Sequence, residues 1–541
     1  MPRLVIVSNR VPVPRGRTQA AGGLAVALHD AVQRRDCLWF GWSGHVATGN
    51  ALIEPHVTQA GQTTFATVDL AESDYRGYYN GFANGMLWPL LHSRVGLSEF
   101  RRDDLKAYNA VNAAFAQALA PLLLPDDLVW VHDYHLFPLG QALRDRGVTC
   151  RIGFFLHVPF PPPALFLCLP QADALLRTLA AYEVVGVQVE EDAANLNALF
   201  LRLNIPARAA AFPVGINPDA LAQAARRAEN GPEVVRLAEF LADRALILGV
   251  DRMDYSKGLP QRFRGFAQLL KRFPAHRNRV RYLQIAPVSR GEVGQYRALR
   301  RELDELVGRI DGEYADFDRT PLRYMTRSVG RSTIAGFYRL AHVGLVTPLR
   351  DGMNLVAKEY VAAQNPDDPG VLVLSRFAGA AQELDGAILV NPFDPDEIAE
   401  ALNVALIMPS RSGWHVGAPC GRRFGKTLPQ PGRNGSLLNL SMQRLVSRGA
   451  KCRVTRGEAA HHALPLNPAV RKRYCIRRVR ECYAWSMALR EGLVPYRERL
   501  ARNSCGRQSM ARPRASRETK TGQHPNPTRK RASSAPSSEI L

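Results

Sequence analysis

The sequence is short of several things, and each shortage excludes a class of protein. No uninterrupted apolar run reaches the ~18 residues of a membrane-spanning helix. The opening stretch, Met1-Pro2-Arg3-Leu4-Val5-Ile6-Val7-Ser8, is far too brief to be the core of a secretory signal. It reads as the buried first strand of a cytoplasmic protein. Cysteine is sparse in the first 410 residues, which hold only Cys37, Cys150 and Cys168, the pattern of small buried hydrophobes in a reducing compartment. The other five, Cys420, Cys452, Cys475, Cys482 and Cys505, contain no Cys-x-x-Cys pair, so no zinc site is expected. Also missing are a Gly-x-Ser-x-Gly elbow, a Walker loop, a His-Glu-x-x-His pair, a glycosidase-like pair of acids and any internal repeat.

Acid is the last shortage, and it is local. Residues 411–541 carry 28 Lys and Arg against six Glu and no Asp, which equals the entire formal charge of +22. The first 410 residues balance at 43 of each sign. The basic surplus therefore says nothing about nucleic acid in the body of the chain. The tail lacks the interleaved aromatics of a specific reader, so no specific nucleic-acid partner and no membrane partner are expected.

What is present describes a globular body. The composition, 46% hydrophobic and 22% charged, excludes a disordered or fibrous chain. The length of 541 residues calls for two or more domains at roughly 100–200 residues each. Brief Val-, Ile- and Leu-rich runs recur at Leu4–Ser8, Leu128–His132, Ile152–His157, Val184–Val187, Leu246–Val250, Val280–Ile285, Val343–Thr347, Val371–Leu374 and Ala387–Val390. Amphipathic stretches such as Leu105–Leu124 and Ala193–Leu203 separate them. The pattern predicts parallel strands covered on both faces in doubly wound α/β sheets. The rhythm pauses at a charged helical stretch, Pro218–Arg244, which places a domain boundary near residue 235. After about Met408 the texture turns Arg-, Ser- and Pro-rich, with a helical-looking piece at Tyr474–Leu489 and a disordered reading from Ser504 on.

Polar residues gather just behind the predicted strands, where open α/β sheets bind ligands: His132-Asp133, His157, Asp251-Arg252, Arg290 and Arg350-Asp351. Ser8-Asn9-Arg10 followed by Ala21-Gly22-Gly23-Leu24 suits phosphate at a glycine-opened helix start, and equally suits a plain tight turn. In Gly249-Val250-Asp251-Arg252-Met253-Asp254-Tyr255-Ser256-Lys257-Gly258, two cations five residues apart on a strand-end turn suit a diphosphate; solvated surface charges are the alternative. In Thr347 through Glu359 a strand ends and a helix starts near Asn354, offering free N–H groups. Glu359 suits ribose hydroxyls, or the dipole of its own helix. His157 stands at a strand end before a proline-stiffened loop, where structural histidines are common. Trp39-Phe40-Gly41-Trp42 and Tyr78-Tyr79-Asn80 through Trp88 offer sugar-stacking faces or ordinary core aromatics.

Taken in order, these segments resemble the retaining glycosyltransferases that make trehalose 6-phosphate. To those named above, the resemblance adds Ser43-Gly44, Leu87-Trp88-Pro89, Trp130 through Leu136, Gly153 through His157, Leu259-Pro260, Gln284-Ile285-Ala286-Pro287, Ser289-Arg290-Gly291 and Pro348 through Gln364. It runs from Arg3 to about Met408. It implies a GT-B architecture: two Rossmann-like doubly wound α/β domains facing across a cleft. Residues 1–235 would be the acceptor domain, 236–408 the nucleotide-sugar donor domain and 409–541 an atypical basic, largely disordered C-terminal tail. The implied reaction is glucosyl transfer from UDP-glucose to glucose 6-phosphate with retention.

The resemblance also implies roles. Arg10, Tyr79 and Arg290 would bind glucose 6-phosphate, Trp88 would shape the acceptor pocket and favour the α anomer, and Asp133 would hold acceptor hydroxyls. Gly22 and Gly23 would lie along the donor. Arg252 and Lys257 would neutralise the departing diphosphate, a task given to metals elsewhere, so no metal and no cofactor are expected beyond UDP-glucose as co-substrate. Backbone groups of Asp351, Gly352, Met353 and Asn354, and of Leu355, Val356, Ala357 and Lys358, would grip the donor, with Glu359 on the ribose. His157 would touch the donor glucose near the reacting centre. Val329 stands where the family often has a Phe against uracil, which removes stacking and leaves a backbone contact.

The resemblance stops in the helix that begins at Glu397. A shifted reading frame and a genuine basic extension both account for the tail that follows. A glucosylglycerol-phosphate synthase and a non-catalytic sugar-phosphate sensor are the rival functions. The nucleotide preference and the assembly of a homo-oligomer stay open.

Overall fold

The computed structural model describes residues 2–13, 36–48, 54–289, 294–317 and 319–408. The predicted features of the tail lie outside the described residues.

The apolar runs become strands of two sheets. In the first, β1 (Leu4–Arg10), β2 (Cys37–Ala47), β3 (His56–Ala60), β4 (Thr63–Ala71), β5 (Leu128–His132), β6 (Arg151–Phe155), β7 (Val184–Val187) and β8 (Ala209–Ala211) are ordered β3-β4-β2-β1-β5-β6-β7-β8. All neighbours are parallel except β3 and β4. In the second, β9 (Ala245–Val250), β10 (Val280–Ile285), β11 (Leu322–Met325), β12 (Val343–Val346), β13 (Val371–Ser375) and β14 (Ile388–Val390) are all parallel, ordered β11-β10-β9-β12-β13-β14. The centre of each sheet is buried on both faces: β5 and β10 have no exposed residue, and Val5, Ile6, Ile247 and Tyr282 are fully covered. This is why these strands read as unbroken apolar runs. Each such Val, Ile or Leu contributes roughly 1.5–3 kcal/mol by leaving water.

Five strands were not among the predicted runs. β2 is built of aromatics, β3 is an exposed antiparallel edge, β4 alternates Thr and Ala with apolar residues, β8 is three alanines, and β11 is a short edge strand carrying Arg323.

The helices that matter for the site are α1 (Arg102–Leu119), α2 (Glu190–Arg202), α3 (Pro218–Ala228), α4 (Pro232–Leu241), α5 (Leu259–Arg272), α6 (Gly294–Tyr314), α7 (Arg331–Leu340) and α8 (Leu355–Ala363). Leu221, Val234 and Leu237 of α3 and α4 share an apolar cluster with Phe337 of α7 and Ala357 of α8, on the second sheet. Between β4 and α1 the chain winds as a wide π-helix, Tyr75–Leu87, directly followed by Trp88–Leu91. Such turns are frequent at functional sites; this one carries Tyr79 and leads directly into Trp88. Among the described residues no helix is long and apolar enough to cross a membrane.

Candidate active site

The carboxyl ends of the two sheets face one another, and the residues behind β9 and β12 form one wall. The turn after β9 stands on Arg262 of α5, which is completely buried. Its guanidinium donates to Gln284 Oε1 at 3.0 Å, to Thr347 Oγ1 at 3.0 Å and to the Lys257 carbonyl at 3.3 Å, and pairs with Asp251 at 2.8 Å. One side chain thus ties together the ends of β9, β10 and β12 and the turn bearing Lys257. A buried guanidinium is tolerable only when its donors are matched in this way.

Lys257 lies 2.5 Å from Asp351, both side chains largely covered. Burial alone would raise the Asp351 carboxyl, but the Lys257 ammonium and the Asn354 amide hold it below its ordinary range. Asn354 also caps α8: with φ of 76°, its side chain accepts from the Ala357 N–H at 3.0 Å. Gly352 and Met353 are buried and Leu355 and Val356 half-buried. Lys358 turns inward, donating to Glu383 and to the Val214 carbonyl, each at 2.9 Å. Glu359 receives a long bond of 3.4 Å from the Tyr338 hydroxyl and lies 3.6 Å from Arg331, and burial pushes its carboxyl up. Val329 is half-buried against the same apolar cluster.

The opposite wall belongs to the first sheet. The Arg10 guanidinium stands 5.8 Å from the Trp42 ring centroid, and Gly44, with φ of +86°, leaves the space it fills. Tyr79 packs on Trp42 at 5.7 Å and stacks on Tyr75 at 5.4 Å and on His135 at 5.8 Å. Asp133, immediately after β5, holds φ of +77°, rare for a non-glycine and typical of functional positions. Its carboxylate accepts from the His157 N–H at 3.2 Å. The His157 ring faces His132, with Nε2 3.0 Å from His132 Nδ1. Burial pushes His157 down to about 3, so it is neutral near pH 7.

The two walls touch. Trp88 donates its indole N–H to Asp254 at 3.3 Å, and the half-exposed Arg252 guanidinium lies 5.6 Å from the Trp88 ring centroid. Asp254, wholly buried, also accepts from the Ser256 N–H and the Tyr296 hydroxyl, each at 3.0 Å. His92 supports Trp88 from behind, with ring centroids 4.2 Å apart. A side chain on Gly352 would overlap the His157 carbonyl oxygen, so only glycine permits that approach. Arg350 reaches Glu191 at 3.3 Å and Asp192 at 3.9 Å.

The described structure therefore brings Arg10, Tyr79, Trp88, Asp133, His157, Arg252, Lys257, Val329 and the Asp351–Glu359 segment to the facing ends of the sheets. Gly22, Gly23 and Arg290 lie outside the described residues. Sequence reasoning assigned no role to Arg262, Asp254 or His132. Arg262 reads as a solvated helix charge; the available signal was its place on the apolar face, one residue before Phe263 and four before Phe266.

Two doubly wound sheets that meet at their strand ends, with cations on one wall and stacked aromatics on the other, form the GT-B arrangement of a glycosyltransferase. Residues 2–413 match glycosyltransferase family 20, and the chain belongs to that family. A trehalose-6-phosphate synthase from Sinorhizobium fredii is 48% identical over 425 residues, covering 76% of this chain and 92% of the relative. Two solved structures are similar to it. The UDP-forming α,α-trehalose-phosphate synthase of Burkholderia xenovorans, in complex with glucose-6-phosphate, has a TM-score of 0.78 and 43% identity, covering 82% of this chain and all of that one. The Escherichia coli protein bound with UDP-2-fluoro glucose has a TM-score of 0.75 and 41% identity, covering 83% and 99%.

Proposed function

We propose that the chain transfers glucose from UDP-glucose to the anomeric hydroxyl of glucose 6-phosphate with retention, yielding α,α-trehalose 6-phosphate and UDP. The observation that carries this is the pair Arg252 and Lys257 on the turn behind β9, set against Trp88 of the opposite wall. As the glycosidic C–O bond breaks, negative charge grows on the diphosphate, and two fixed cations stabilise it. The acceptor hydroxyl attacks the same face, and its proton passes to the departing phosphate oxygen. Arg10, Tyr79 and Arg290 hold the acceptor phosphate, and Trp88 and Asp133 orient its ring. Gly22, Gly23, His157, Val329 and residues 351–359 hold the donor.

The division into an acceptor domain to residue 235 and a donor domain from 236 to 408 belongs to this reading, as do a cytoplasmic place of action and metal-independence. The test is UDP release by the full chain, with glucose 6-phosphate and with glycerol 3-phosphate as acceptors, each with and without EDTA. Release specific to glucose 6-phosphate and indifferent to EDTA is expected. Preference for glycerol 3-phosphate, or no release, would overturn it.

A further inference from the structure

His132 and His157 share one hydrogen bond, and its direction fixes what His157 offers a ligand. His132 ends β5, is fully buried, and lies against Trp130 (ring centroids 4.4 Å apart) and Phe155 (6.5 Å). Its Nδ1 is 3.0 Å from His157 Nε2. Burial holds both rings neutral, so each carries one proton and only one proton lies between them. If His157 donates from Nε2, then His132 must carry its own proton on Nε2. That atom is buried and has no partner among the described residues. The nearby Trp130 Nε1, which can only donate, is likewise buried without a partner. A second orphaned N–H in the same buried cluster would be the less stable arrangement, because a buried donor without an acceptor is rarer and harder to accommodate than an idle lone pair. If His132 instead donates from Nδ1, its Nε2 is a bare nitrogen and no second donor is orphaned. His157 Nε2 is then occupied as an acceptor and its proton resides on Nδ1.

We infer that His132 is a positioning residue that locks His157 in the Nδ1–H tautomer, so that His157 meets the substrate as a hydrogen-bond donor and not as a base. On the function proposed above, this N–H engages an oxygen of the donor hexose, and the acceptor's proton goes elsewhere. A neighbour that sets an imidazole tautomer is a recurrent device, and losing it typically lowers activity without removing it.

Long-range 1H–15N spectra of ring-labelled protein, without substrate and with the His157 signals assigned from His157→Gln, read the tautomer directly. The Nδ1–H form is expected in the wild type and in His132→Asn, whose amide keeps an N–H near the position of Nδ1. Protonation of wild-type His157 on Nε2 overturns the inference, even if no variant folds. In UDP-glucose-dependent transfer, His132→Leu should lower kcat by about 10–100-fold. His132→Asn should recover most of that loss, and KM for glucose 6-phosphate should move less than about twofold in both. Equal losses in the two variants, with His157 still in the Nδ1–H form, also overturn it. The spectrum needs no turnover, so an inactive wild type would sink the proposed reaction and leave the tautomer decided.

Discussion

Lys257 serves Asp351 as much as any ligand. Removing its ammonium takes away one cation of the wall and frees burial to raise the Asp351 carboxyl that it now holds down. Lys257→Ala should lower kcat by about 10²–10³-fold, as loss of one oxyanion donor does; steady-state kinetics near wild type would refute the role. Asp254 sits among three donors, from Trp88, Ser256 and Tyr296. Asp254→Ala leaves all three without this acceptor and should destabilise the fold by about 1–3 kcal/mol. Urea melts check this, and an unchanged midpoint would contradict it. At this scale the sequence was legible where chemistry clusters behind a strand, as at Arg252, Lys257 and Asp351. It was opaque where a residue's meaning depends on a partner far along the chain. Arg262 is read through Thr347 and Gln284, and Asp254 through Trp88, 166 residues away.

At the scale of elements, strands buried on both faces announce themselves, and β5, β7 and β10 span the predicted residues without change. β2 did not, since its indole and phenyl rings serve either a sheet or a sugar platform; Trp39 and Phe40 line the core while Trp42 meets Tyr79. The loop from Arg350 to Asn354 was legible as a strand-to-helix turn. Its tight approach to His157 was not, because that approach is made in three dimensions by Gly352. Gly352→Ala forces the loop off the His157 carbonyl. An overpacked contact of this kind typically costs about 1–3 kcal/mol. The variant should melt earlier and turn over more slowly; full activity with an unchanged melting temperature would show the contact to be loose.

At the scale of the molecule, the two sheets are joined by charge as well as by aromatics. Asp192 of α2 is buried beside Arg350, and burial pushes its carboxyl up to about 7 against the pull of the Phe160 N–H and of Arg350. The unfolded chain titrates this group near 3.9, so the folded state holds the extra proton between these values. Its contribution to stability is therefore present at low pH and is lost as pH rises through about 7, by up to about 1.4 kcal/mol per pH unit. Asp192→Asn should flatten the fall in melting temperature expected of the wild type between about pH 5 and pH 7; parallel curves would refute it.

Trp88, His157 and Glu191 meet Asp254, Gly352 and Arg350 across the two sheets, so on the proposed function neither half of the body would hold both substrates alone. A chimaera that grafts one half onto the matching half of a relative inherits a working crevice only if those three pairings survive the exchange.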